Sequence, residues 1–77
     1  MDNQDLIDCC NNIITGNSNM IVAYQQNNSA LDQAIAQSNS DIDGFSVQQE
    51  SNNTSISNLE TANNQLNEII VILEANP

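Results

Sequence analysis

The chain has no lysine, no arginine and no histidine. Phosphate neutralisation needs cationic side chains, so nucleic-acid binding is not expected. A phosphate-binding P-loop is excluded with its lysine, and a histidine triad or histidine-rich metal site with its histidine. Ten carboxylates stand with no base to pair them, for a net charge of -10. An anionic lipid surface would repel such a chain. Long apolar runs are missing too. The longest, Ile69 to Leu73, falls far short of the roughly 20 residues that cross a bilayer, so no membrane partner is expected. The first residues are acidic where a secretory signal opens basic, so no signal peptide is expected, and the localisation stays open. Only two cysteines occur, and Cys9 and Cys10 are neighbours, so they cannot staple distant segments together. They read as reduced small hydrophobes, or as an interchain disulfide. Zinc demands a fuller ligand set, and no metal or other cofactor is expected.

Asn, Gln, Ser and Thr supply 34 of the 77 residues, against 30 apolar ones, so polar groups must enter any core. A lone domain of this size buries only about 60% of its unfolded surface and is marginal by itself.

Periodicity carries the fold. Every seventh residue from Ile7 gives Ile7, Ile14, Ile21, Asn28, Ile35, Ile42, Gln49, Ile56, Asn63 and Ile70, here named position a. Three residues after each, at position d, stand Cys10, Asn17, Tyr24, Leu31, Ser38, Phe45, Asn52, Leu59, Leu66 and Leu73. Of these 20 positions 14 are apolar, against 16 of the other 57, and the frame holds for ten heptads. Sustained 3-4 spacing is the coiled-coil signature, and a strict seven-residue repeat implies a left-handed supercoil. All ten acids avoid a and d. Burying an unpaired carboxylate is prohibitive, so the acids support the same frame.

These features predict an all-α protein: one long continuous helix forming a parallel coiled coil. The whole of 1–77 is expected to be a single segment with core heptads at about 3–75. Its oligomer core would be Ile7, Ile14, Ile21, Leu31, Ile35, Ile42, Phe45, Ile56, Leu59, Leu66, Ile70 and Leu73. Asn17, Asn28, Ser38, Gln49, Asn52 and Asn63 would form polar layers that fix register at a cost in stability. Gly16, Gly44 and the many Asn and Ser are poor helix formers. The stretch Ser38 to Gly44 is an alternative site for the turn of a helical hairpin. The unbroken heptad phase on both sides of Gly44 favours a continuous rod, about 105 Å long for 70 residues.

Position g adds Leu6, Ile13, Met20, Ala34, Ala62 and Ile69, whereas position e is polar throughout. A two-stranded seam needs only a and d, so the g side calls for a third helix or another protein. Leu6, Ile13 and Met20 are therefore expected at a partner contact. So are Val71 and Ile72, which fall at the outward positions b and c of this frame.

The segments Ile14-Thr15-Gly16-Asn17-Ser18, Ile56-Ser57-Asn58-Leu59 and Gln65-Leu66 resemble parts of trimeric viral fibres and autotransporter stalks. The resemblance is a short motif on a shared heptad pattern. It implies a homotrimer in which Asn17 points at the trimer axis and helps hold an anion. Asn52 matches less well, because Gln49 and Asn53 replace the flanking residues of the motif; Asn63 is a further polar layer.

The candidate nucleophiles, Ser, Thr, Cys9 and Cys10, have no His or Lys to serve as base, so no enzyme is expected. The function expected is structural: a short oligomeric rod in a larger assembly, a minor virion component such as a tail, baseplate or fibre element. Its partners would be further copies and other structural proteins of that assembly. The alternative is a helical adaptor or secretion-type chaperone whose a/d/g face docks on partner helices. An acidic mimic of nucleic acid is disfavoured, because ten acids over 77 residues are too sparse.

Overall fold

A computed structural model describes residues 2–37 and 42–76. Two helices account for nearly all of them: α1, Asn3–Gln37, and α2, Ile42–Ala75. They pack along each other in antiparallel sense, in a body of 57 × 14 × 14 Å. The all-helical expectation holds. The continuous rod does not: the chain reverses between Gln37 and Ile42 and spans about half the length a single helix would need. Gly44 lies inside α2 with no left-handed backbone angle, so it is not the turn. Ser38, the remaining polar position of the frame, lies outside the described residues.

Heptad phase survives the reversal for a simple reason. Ile35 and Ile42 are seven residues apart. A continuing helix and a short return both satisfy that spacing. Phase fixes which face is apolar and says nothing about chain direction.

Local chemistry sets the ends. Asp2 Oδ1 accepts from the Asp5 backbone N–H at 2.9 Å, and Asp5 Oδ2 accepts from the Asp2 N–H at 3.3 Å. This is a capping box built from two aspartates, at the helix pole that favours negative charge. At the far end of α2 the Asn76 side-chain amide donates to the Ile72 carbonyl at 2.9 Å. Asn3 of α1 then reaches across, donating to the carbonyls of Leu73 and Asn76. One side chain near the start of α1 thus bonds carbonyls at the end of α2, where the Leu73 carbonyl also accepts from the Asn76 backbone N–H.

The heptad frame is the seam between the helices. Ile7, Ile14, Ile21, Leu31 and Ile35 of α1 are half-buried, as are Ile42, Phe45, Ile56, Leu59, Leu66 and Leu73 of α2. Ile70, 9% exposed, is the one buried hydrophobic side chain among the described residues. Two helices cannot enclose a core, so most seam residues keep one flank in water.

Candidate functional site

Hydrogen bonds across the seam give its register. Asn17 Nδ2 donates to Asn63 Oδ1 at 2.9 Å, and Asn52 Nδ2 donates to Asn28 Oδ1 at 2.8 Å. Residue i therefore faces residue 80 − i. In this register every a position meets a d position. Ile7 lies opposite Leu73, Cys10 opposite Ile70, Ile14 opposite Leu66, Ile21 opposite Leu59 and Tyr24 opposite Ile56.

The polar layers are matched within the chain. Asn52 is only 2% exposed, the most buried side chain described. Its amide nitrogen donates to Asn27 Oδ1 as well as to Asn28, and its oxygen accepts from Gln48 Nε2 at 3.0 Å. Asn28 donates to Asn53 Oδ1 at 3.0 Å. Gln49, opposite Leu31, donates to the Asn28 backbone carbonyl and to the Asp32 carboxylate. Asn17, 9% exposed, shares its layer with Asn63, which also donates to Ser18 Oγ. Among the described residues no buried side-chain nitrogen or oxygen lacks a partner. A buried amide left unpaired costs on the order of 1–3 kcal/mol, so each Asn layer tolerates only the register that supplies its mate.

Asn17 commits one of the two N–H donors of its amide to Asn63, whereas both donors of Asn52 are taken by Asn27 and Asn28. Asn3 extends position d one heptad before Cys10; Asn27 and Gln48, both at position g, join the Asn52 network although the a/d frame does not single them out. Their signal is visible only once the chain is folded back, when amides gather at matching heights on both arms.

The two sides of the seam differ. In an antiparallel pair the e positions of both helices share one side and the g positions the other. The e side is polar and exposed at every described position, and it carries the bonds through Ser18, Asp32 and Asn53. The g side carries Leu6, Ile13 and Met20 on α1, with Ala62 and Ile69 on α2. Ile13 and Met20 are both 46% exposed, so α2 does not cover them. Val71 and Ile72 lie off the seam and are 65% and 62% exposed.

A shallow dent at the open end is lined by Asp2, Asn3, Gln4, Ile7, Leu73 and Glu74. Among the described residues no three His, Cys, Asp or Glu side chains gather as a metal site. No helix of those residues is long and apolar enough to cross a membrane. No family model, curated protein or solved structure matches the chain.

Proposed function

We propose that this chain is a non-enzymatic structural subunit. It is a coiled-coil hairpin that packs with further copies inside a larger helical assembly, with a virion tail, baseplate or fibre as its setting. The carrying observation is the pair of Asn–Asn layers. They fix one register at the expense of apolar burial, while one flank of the same seam stays apolar and open. A protein selected for unique geometry and for further packing has this division. The virion setting rests on the fibre-like segments Ile14 to Ser18 and Ile56 to Leu59. Opening the hairpin into a parallel three-chain rod would break the Asn17–Asn63 and Asn28–Asn52 bonds, so the hairpin is kept as the repeating unit.

The test is incorporation. A tagged chain produced in its source should sediment with purified particles and resist removal by high salt. A chain found wholly outside particles overturns the structural reading. The adaptor reading draws on Val71 and Ile72, which neither the seam nor the g side uses. Partner recovery that falls with Val71→Ser and Ile72→Ser, without loss of helicity, would favour it.

A further inference from the structure

The g side of α1 continues into a second seam. Positions g and c together read Leu6, Cys9, Ile13, Gly16, Met20, Ala23, Asn27, Ala30 and Ala34. They recur at the same 3-4 spacing as the first seam. From Leu6 to Ala30 every one of them is exposed. The corresponding stripe of α2 is mostly polar (Gln48, Ser51, Ser55, Asn58, Gln65).

Gly16 is unexplained by the hairpin. It sits mid-helix, has no left-handed backbone angle, and a Cβ placed on it would meet nothing within 4 Å. Glycine there weakens the helix and relieves no crowding inside the chain. Unlike Gly44, it sits on the apolar stripe, where a missing side chain leaves room for another backbone to come close.

We infer that the missing element is α1 of a second copy, lying antiparallel across a twofold axis between Ile14 and Thr15. This deepens the self-assembling reading above and rests on it. In that register Leu6 meets Ala23 of the second copy, Cys9 meets Met20, and Ile13 meets Gly16. Each layer sets a large side chain against a small one, and the twofold repeats the three layers in reverse. One surface that complements itself in this way is what an isologous dimer requires. Large knobs seated over small residues let the helix axes approach closely.

Charge favours the same direction. Asp2, Asp5 and Asp8 of one copy fall beside the stretch Ile21 to Ala30 of the other, which carries no acid. A parallel pairing would instead set the three aspartates against their own copies with no cation in the chain to offset them. It would also put Ile13 against Ile13 and Gly16 against Gly16, losing the size match.

Sedimentation of the isolated chain should give twice the chain mass. Gly16→Leu should keep full helicity, because the site is open within the hairpin. It should weaken dimerisation by roughly 100-fold, since overpacking recurs at two symmetry-related layers. In a Cys10→Ser background, Met20→Cys should form a covalent dimer with the native Cys9 under oxidised glutathione, whereas Ala30→Cys, on the same stripe but in the wrong layer, should not. A monomer, a trimer, a Gly16→Leu dimer of undiminished affinity or equal crosslinking from position 30 each overturns this pairing. A chain that stays monomeric in isolation yet sediments with particles overturns the α1 pairing alone and leaves the structural reading standing.

Discussion

The half of the hairpin nearest the bend and the half holding its ends solve the same packing problem differently. Near the bend, Asn27, Asn28, Gln48, Gln49, Asn52 and Asn53 form a connected amide network around one buried side chain. Toward the ends, Ile7, Cys10 and Ile14 face Leu73, Ile70 and Leu66, and the outer flank of α1 turns apolar. The first half gives specificity at little net gain, because each amide bond replaces a bond to water. The second gives burial with less specificity, because its Ile and Leu layers look alike after a slip of one heptad and Asn17–Asn63 alone marks the register there. Each half supplies what the other lacks.

Five single substitutions and one double replacement break or sharpen that contrast. Asn52→Asp should do most. It replaces a donor with a carboxylate facing two side-chain oxygens, at a site 2% exposed and with no cation in the chain. A cost of about 3–5 kcal/mol is expected, enough to unfold the hairpin at pH 7. The folded-state pKa of such an Asp would be raised, so stability returns as pH falls and the group is neutralised. Helicity by circular dichroism that is equal at pH 7 and pH 4 would contradict the network. Ile70→Ala comes next, at roughly 2–4 kcal/mol, because Ile70 is 9% exposed while its neighbour Val71 is 65% exposed. Val71→Ala should stay within about 0.5 kcal/mol, so the two chemical-denaturation midpoints separate the seam from the surface. Asn17→Ala should cost on the order of 1–3 kcal/mol by stranding Asn63. Replacing both by Leu should recover that loss, and a double-mutant cycle reads the coupling directly. Gly44→Ala has the opposite sign. No atom within 4 Å opposes a Cβ there, so about 1 kcal/mol should be gained. The melting temperature should rise by about 4–8 °C.

The heptad frame made the seam legible residue by residue. Every described a and d position is shielded, from Ile7 to Leu73, and every acid is off it. The polar positions Asn17, Asn28, Asn52 and Asn63 were equally visible. Who their partners are was not. A periodic pattern records which face is apolar and carries no arrow, so Ile35 and Ile42 read as one helix when they stand on two. Chain direction was encoded in the spacing of the amides about the midpoint: Asn17 with Asn63 and Asn28 with Asn52 are symmetric about Ser40. The apolar g stripe was also visible in the sequence. Its self-matching order of large and small residues came into view only when folding back left α1 with a second, empty side.

The order of the layers along the hairpin has a kinetic consequence. Contacts close to the bend join residues near in sequence, so they form at the lowest loop-closure cost, and outer layers follow by extension. Going outward, the Asn28–Asn52 layer closes before the run from Ile14–Leu66 to Ile7–Leu73. A chain that starts to zip one heptad out of step meets its mismatch early, with Asn28 facing Phe45 or Leu59 and Asn52 facing Ile21 or Ile35, while little is yet committed. It reopens cheaply. Were the amides at the open end instead, a slipped hairpin would first accumulate all its interchangeable Ile and Leu layers and become a long-lived trap. The polar residues act here as a checkpoint placed early along the folding route.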